Sequence, residues 1–552
     1  YNGEIYNYLE LKSILEKKGH IFNTNSDTEV IVHAYEEWRE DFVTHLRGMF
    51  AIAVWDSNKN ICIMARDRFG IKPLFYFFDE KKLIFASELK SIVSSGLVPV
   101  EINPEGVLQY FKYYYVPAPN TIFKNIFSVL PGHEAFCVNG HLTSREYWEL
   151  YFHEIYSNER EAIRLIESEL TECITQHIVA DVPVGCFLSG GVDSSLVSFY
   201  AKNAIGDDLR AYCIGFGEDK YDESVYARMV GKHLGIDLNV DVMESSPDFE
   251  DIIKIIECCD QPFADSSLIP TYQVCRNARH YFPVALSGDG GDEIFAGYSF
   301  RLQRAATLLN NKSYFHYISK LILSLMENLS FTEKFERSIK RFNEFSKLTL
   351  SERYIFLHTK SLQFQEIVNK DVLEFYDSHP DFIHMQANKR RLENNLNGML
   401  ALCLQNNLSN DMLVKVDRAS MANSLEVRVP FLDHKLVEAA SKLSARLKQR
   451  GLIKLNSKYI LKRIAEKKLP HKAIFRGKMG FGIPIVQWTE MRLQSYLRKA
   501  LADTNLSIFN YLNKNAVSTL VDSNEMQRIS SDKWALFCFL VWYKKITYNE
   551  FL

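Results

Sequence analysis

The sequence predicts a chain of two unlike parts: a β-rich α+β part first, then an α/β part built on a doubly wound parallel sheet and followed by many helices. Three observations carry this. Apolar runs of strand length crowd the first 145 or so residues, strands and helices alternate after a long helical segment that begins beyond about residue 150, and from about Phe300 the pattern is mostly helical. At 552 residues the chain is also too long for one ordinary core, so it must divide.

Taken in order, NYLELKSILEKKG (Asn7–Gly19) predicts a helix with Leu11, Ile14 and Leu15 on one side and a glycine at its end. GMFAIAVWD (Gly48–Asp56), NICIMARD (Asn60–Asp67) and PLFYFFD (Pro73–Asp79) predict strands. They are apolar on both faces, which suits strands sandwiched between other layers. The pattern changes near Pro131-Gly132-His133, and EREAIRLIESELTECITQHI (Glu159–Ile178) predicts a long helix. Then come VGCFL, a helix from Asp193, RAYCIGF, a helix around Glu223–Leu234, DLNVDVM, a helix around Ser266–His280 and FPVALSG. This alternation predicts parallel strands with helices on both faces. Near the end, WALFCFLVWY (Trp534–Tyr543) is about half the length of a membrane span and predicts a buried helix.

A net charge of −3 gives no reason to expect nucleic acid or an anionic membrane as partner. The basic cluster Lys389-Arg390-Arg391 reads as a solvated helix face. Ten cysteines form no C-x-x-C pair and no Cys/His spacing of a zinc site, which predicts reduced thiols and a cytoplasmic chain.

The chemistry concentrates in CFLSGGVDSSLVSF (Cys186–Phe199). A short strand runs into Ser189-Gly190-Gly191, and a helix starts around Asp193. Two glycines let the backbone turn sharply and bring N–H groups close to a ligand. The helix N-terminus and the Ser194 and Ser195 hydroxyls add donors and positive potential, so the loop suits an anion. The Walker lysine is absent, and Asp193 stands where a carboxylate can hold a magnesium ion between phosphates. A second loop, ALSGDGGDEIFAGY (Ala285–Tyr298), also follows an apolar strand and carries Asp289, Asp292 and Glu293 among glycines. Alone it reads as a solvated turn. In a doubly wound sheet, however, both loops lie at the carboxyl ends of strands and converge on one crevice.

S-G-G-V-D-S-S followed by S-G-D-G-G-D-E, with QPFADSSLIPTY (Gln261–Tyr272) and DRASMANSLEVRVPFLDH (Asp417–His434), resembles the glutamine-dependent asparagine synthetases, the bacterial B type above all. YNGEIYN (Tyr1–Asn7), NSDTEV (Asn25–Val30), ARDRFGIKPLFY (Ala65–Tyr76) and FASELK (Phe85–Lys90) are similar to the same family's glutaminase domain, so the resemblance spans nearly the whole chain. It implies that residues 1–145 are an α+β glutaminase domain, a four-layer N-terminal-nucleophile sandwich. Residues 146–552 are then an α/β doubly wound parallel-sheet ATP-pyrophosphatase domain with many C-terminal helices.

The implied reaction is ATP-dependent amidation of aspartate to asparagine through β-aspartyl-AMP, with ammonia from glutamine reaching the adenylate through an internal tunnel. The implied partners are small molecules (aspartate, glutamine or ammonia, ATP with Mg2+), without nucleic acid or membrane; a homodimer is a further expectation. Asn2, Gly3 and Glu4 match the segment that holds glutamine and the oxyanion of its hydrolysis, and Asp27 matches the carboxylate that pairs with the glutamine α-amino group. Leu188, Ser189, Gly190, Gly191, Asp193, Ser194, Ser195, Ile214, Ser287 and Gly288 match the ATP-binding positions. Asp193 and Asp292 match the metal ligands. Lys458 matches a lysine that stabilises charge in the adenylation transition state. Arg428 and Asp433 either shape the aspartate end of the pocket or serve as salt-bridge scaffolding.

Two departures from the family pattern bear on function. Asp289 stands where the best-known bacterial enzyme has Glu, and Gly291 where it has Ser, which leaves open how Asp289 contributes as a catalytic group. Some relatives with this variant amidate other carboxylates such as sugar acids, so an amidotransferase of that kind is the alternative. A tRNA-modifying thiolase of the same loop family needs a basic surface and paired reactive cysteines, and a non-catalytic relic would have lost Asp193 or Asp292. The second departure concerns the N-terminus. The family nucleophile is an N-terminal cysteine whose own amine acts as base, and the first cysteine here is Cys62, inside an apolar strand. The resemblance therefore implies a chain lacking roughly the first seventy residues of its glutaminase domain, using ammonium salts rather than glutamine.

Overall fold

The computed structural model describes residues 1–217, 222–243, 247–299, 342, 344–361, 363–377, 382–390, 392–451, 455–476, 485–503, 506–523 and 528–547. The helix-rich expectation for residues 300–341 lies outside the described residues.

The N-terminal part contains β1 (Asn2–Ile5), β2 (Gly48–Asp56), β3 (Ile61–Arg66), β4 (Phe75–Phe78), β5 (Leu83–Ala86), β6 (Ile126–Ser128), β7 (His133–Val138) and β8 (His141–Glu146). They form an antiparallel five-stranded sheet in the order β1-β2-β3-β7-β8 and a three-stranded sheet in the order β5-β4-β6. The side-chain period of two sorts the strands between neighbours. Phe50, Ile52, Ile61, Ile63 and Ala65 share a core with Leu11 and Leu15 of the helix Tyr8–Lys17 and with Val30 and Ile31 of the helix Asp27–Trp38. The intervening Ala51, Cys62 and Met64 pack instead with Leu74 and Val129. β3 is buried at every position, which is why its sequence is apolar on both faces. Ile14, expected beside Leu11 and Leu15, is 37% exposed. At about 100° per residue it sits off the stripe that Leu11 and Leu15 share.

The second part carries β9 (Val184–Phe187), β10 (Arg210–Phe216), β11 (Asp237–Met243), β12 (Val284–Leu286) and β13 (Glu426–Arg428). All pairs are parallel and the order is β11-β10-β9-β12-β13. The chain winds outward from β9 to β11, then crosses back to β12. The strand order therefore reverses between β9 and β12, where such sheets open a ligand crevice. β13 has three residues only, too few for a periodicity to mark it. Asn158 caps the long helix Glu159–His177 by accepting from the Arg160 and Glu161 N–H groups. In the last described helix, Arg528–Thr547, the stretch from Trp534 to Tyr543 is buried as expected. Among the described residues no helix is long and apolar enough to cross a membrane.

One continuous helical rod changes type along its length. Leu396–Leu402 is α-helical, Cys403–Met412 is π-helical, and Leu413–Met421 is α-helical again. The middle stretch buries Asn406, Asn407, Asn410 and Asp411, a polar content unusual for an interior segment.

Ion pairs, two of them buried on both sides, tie the N-terminal residues to the second part. Arg47 Nε lies 2.6 Å from Asp433 Oδ2, Lys72 Nζ 3.1 Å from Asp417 Oδ1, and Arg428 Nη2 3.5 Å from Glu4 Oε2. Arg428 also donates to the His177 and Val179 carbonyls, and Asp433 caps the helix His434–Ser441 by accepting from the Lys435 N–H. Of the two roles open for Arg428 and Asp433, scaffolding is the one their contacts describe. Arg390, expected on a solvated face, is instead turned inward and pairs with Glu146; Arg391 lies outside the described residues. The Glu146 carboxylate, at the end of β8, is the group it faces.

Candidate active site

The carboxyl ends of β9 and β12 open into a cavity of about 770 Å³. Its rear wall is Leu188, Ser189 and Gly191 with the first turn of the helix Val192–Ile205, whose N-terminus points positive potential into the space. Gly190 adopts φ +74°, and a Cβ there would stand 2.5 Å from the Tyr226 carbonyl carbon, so both conformation and contact require glycine. The serines brace the turn: Ser189 Oγ is 3.1 Å from Ser194 Oγ and accepts from the Gly191 N–H at 3.3 Å. The second loop lies directly against the first. A Cβ on Gly288 would come within 2.8 Å of the Ser194 nitrogen.

Charge gathers where the loops meet. The Lys458 ammonium bonds the Asp193 carboxylate and lies 2.7 Å from Asp292 Oδ1. Burial works against its charge, but Asp193 and Asp292 outweigh it and raise the Lys458 pKa. Lys458 precedes the helix Tyr459–Ala465 with φ +53°, a left-handed conformation a lysine adopts only when its surroundings hold it there. It is buried, not on the solvent face that its helical surroundings suggest. Beside it, burial, reinforced by Asp292, pushes Glu293 up to about 7.

A second charged group occupies another part of the wall. Lys415 Nζ lies 3.0 Å from Asp265 Oδ2 and donates to Ser267 Oγ at 2.7 Å. Burial opposes the Asp265 carboxylate, yet Lys415 and the Ser267 donors hold it at about 2. Asp411 is buried and, with Asp265 close by, is pushed up to about 7. Two carboxylates with pKa values driven apart give the site one fixed anion and one group able to exchange a proton near neutrality.

The structure thus brings Leu188, Ser189, Gly191, Asp193, Ser194 and Ile214 into one wall with Ser287, Gly288, Asp289, Asp292 and Lys458. Gly190 and Ser195 stand behind it: Gly190 faces the helix Ser224–Leu234, and Ser195 is buried at 1% exposure. Asp289 Oδ2 accepts from Ser287 Oγ at 2.5 Å. The N-terminal group assembles elsewhere. Asp27 Oδ2 accepts from the Tyr1 hydroxyl at 2.6 Å and the Ile5 N–H at 3.0 Å, and Asn2 Nδ2 donates to Ser87 Oγ at 3.3 Å. Gly3 pairs with Phe50 on β2. Burial raises Glu4 to about 7 despite Arg428.

Sequence reasoning did not single out Asp265, Asp411, Lys415 or Arg476. Asp265 lies within the quoted QPFADSS stretch. Asp411 and Lys415 are one helical turn apart, a spacing that could have marked them. Arg476, which bonds the Gly190 carbonyl at 3.3 Å and Glu223 at 2.5 Å, leaves no local signal.

The asparagine synthase family profile matches residues 165–544, more than half of the chain. The chain belongs to the asparagine synthase family. A glutamine amidotransferase domain profile matches residues 1–148 of this asparagine synthase family member. Over 550 residues it is 32% identical to "Asparagine synthetase [glutamine-hydrolyzing] 1" of Bacillus subtilis, which spans 98% of this chain and 84% of that protein. It is 31% identical to a "Putative asparagine synthetase [glutamine-hydrolyzing]" of Mycobacterium tuberculosis (98% and 83%). It is 34% identical over 454 residues to a "Putative asparagine synthetase [glutamine-hydrolyzing] 2" of Methanocaldococcus jannaschii (78% and 82%).

In this asparagine synthase family protein the contact at Gly288 leaves little slack. Gly288→Ala is expected to part the two loops by a few tenths of an ångström and slow pyrophosphate release roughly tenfold. Steady-state assay beside an unchanged circular-dichroism spectrum checks it.

Proposed function

We propose that the chain makes asparagine from aspartate, ATP and ammonia through a β-aspartyl-adenylate formed in the 770 Å³ cavity. The observation that carries this is the meeting of Asp193, Asp292 and Lys458 at the switch-point loops. Two carboxylates and an ammonium converge beside a helix N-terminus, where a polyphosphate leaving group needs its charge balanced.

Aspartate's side-chain carboxylate attacks the α-phosphorus, forming one O–P bond as the bond to pyrophosphate breaks. The turn Ser189–Gly191 and the first turn of the following helix offer N–H donors to the departing pyrophosphate. Leu188 and Ile214 supply apolar wall to the nucleotide, with Ser287 and Gly288 alongside. Asp193 and Asp292 fit a magnesium ion: both already face one cationic group, and oxygen donors suit so hard an ion. When bound there it supplies neutralisation of phosphate charge. Lys458 adds a fixed positive charge on the same side. Ammonia then attacks the acyl carbon, and AMP leaves with its bonding electrons while the nitrogen loses a proton. Asp289 and Asp411 stand in the same cavity, where a carboxylate can orient the incoming amine or take up its proton. The Lys415–Asp265 pair offers opposite charges to the amino-acid end of aspartate.

Residues 1–145 are read as the amidotransferase domain, a four-layer N-terminal-nucleophile sandwich, with 146–552 as the synthetase domain. The separation of β2 and β3 contacts between helices on one side and a second sheet on the other supports that layering. Asn2, Gly3, Glu4 and Asp27 are the glutamine-facing residues in this reading. A small cavity lined by Arg66 and Gly70 from one part and Asp260 and Asn410 from the other supports an interior route for ammonia.

Given ATP, magnesium and an ammonium salt, AMP is expected to form only when aspartate is present, with asparagine in equal amount. Turnover of a sugar acid but not aspartate would overturn this reading in favour of the alternative acceptor class.

A further inference from the structure

Away from the adenylation cavity, the turn after the first helix meets the helix Asp27–Trp38 through two histidines. His20 Nδ1 lies 3.2 Å from His33 Nδ1. Glu36 Oε2 lies 3.0 Å from His33 Nδ1 and 3.5 Å from His20 Nδ1. The three atoms form a triangle that hydrogen bonds cannot fully satisfy. A carboxylate only accepts, and each Nδ1 carries at most one proton, so at least one edge sets donor against donor or acceptor against acceptor. A single cation facing three lone pairs satisfies every edge. Ligands at about 2.0–2.1 Å from a tetrahedral ion stand roughly 3.3–3.4 Å from one another, close to these edges.

The far side of each ring agrees. His20 Nε2 lies 3.3 Å from Glu37 Oε2, and His33 Nε2 lies 3.6 Å from Glu29 Oε1. The Glu37 carboxylate, within hydrogen-bond distance of His20 Nε2, favours the proton there and turns that ring's Nδ1 lone pair inward, and the negative charge of Glu29 favours the same tautomer at His33. Helical spacing explains the grouping: Glu29 and His33 are four residues apart, and Glu36 and Glu37 follow His33 by three and four, so both carboxylates border the His33 side of the helix. The His20 and His33 side chains are 15% and 16% exposed, and Glu36 at 53% opens the fourth position to water.

We propose that His20, His33 and Glu36 bind one Zn2+ ion, with water completing a tetrahedron and Glu29 and Glu37 orienting the rings. Imidazole nitrogens with one carboxylate favour zinc over magnesium. None of the ten cysteines takes part, which is why cysteine spacing in the sequence gave no sign of it. The ion clips the turn after Lys17 onto the helix that begins with Asp27, and it is independent of the adenylation chemistry.

The test uses the 552-residue chain stripped of metal. Zn2+ titration should show one equivalent in wild type that the His20→Ala/His33→Ala double variant lacks. Co2+ should give the intense visible absorption of a tetrahedral site in wild type only, displaced by Zn2+. Glu37→Gln should weaken zinc binding about tenfold without changing the Co2+ band positions. Ammonia-dependent turnover should be unchanged in all variants, which confirms that they fold. Equal zinc stoichiometry in wild type and the double variant, or identical Co2+ spectra, overturns the proposal.

Discussion

Asp193→Asn and Asp292→Asn are each expected to slow aspartate-dependent pyrophosphate release by about a hundredfold or more, the scale of losing one preorganised charge-stabilising group. The two carboxylates come from different loops, yet both address the Lys458 ammonium, so either substitution leaves one position of a shared charge centre empty of its partner. An amide keeps the shape and gives up the charge. The unfolding transition should therefore shift little while the rate falls. Raising magnesium tenfold should recover part of the loss if the residue's share is metal binding. Wild-type rates in either variant at ordinary magnesium would remove that residue from the charge centre.

Lys458→Ala is expected to cost more, roughly a thousandfold in kcat, because two effects act together. The positive charge where the two loops meet disappears, and Asp193 and Asp292 lose the cation that holds them near each other. Two half-buried carboxylates left facing each other without a cation repel, so the thermal midpoint should also fall a little. Lys458→Arg should not rescue the rate, since the longer planar guanidinium spreads its charge and moves it off the point that the compact ammonium holds. The separation is made by isotope exchange between pyrophosphate and ATP: the partial reaction should fail with aspartate saturating. A variant that retains exchange but melts early would reduce Lys458 to a structural residue.

The parts of this site that could be read from sequence are those whose chemistry is local. Ser189-Gly190-Gly191 followed by Asp193 states its own purpose: a strand end, a sharp turn, donors and a carboxylate within five residues. The loop at Ser287–Asp292 does the same. The Asp265–Asp411–Lys415 group does not, because its members join only when segments about 150 residues apart pack together. Lys458 shows a different limit. Helical context points such a residue at solvent, and only its left-handed backbone and the two facing carboxylates turn it inward. In the N-terminal part the strands were legible as apolar runs. Which face meets helices and which meets the second sheet was not, since β3 is apolar on both. The Arg390–Glu146 contact likewise depends on a partner 244 residues away in the chain.

The π-helical run Cys403–Met412 sets the angular phase of everything after it. It stands between two cavities: Leu408, Asp411 and Met412 face the large one, Ser409 and Asn410 the small one. Beyond it, the helix Leu413–Met421 must aim Lys415 at Asp265 and, on another side, Asp417 at Lys72. Successive residues of an α-helix differ by about 100°, so one residue lost from this run would rotate both contacts off their partners at once. Substitutions there change a wall, but a change in length moves the aim of the whole rod. Surface loops absorb insertions at small entropic cost. A one-residue deletion in this segment is therefore expected to cost far more than one in a surface loop.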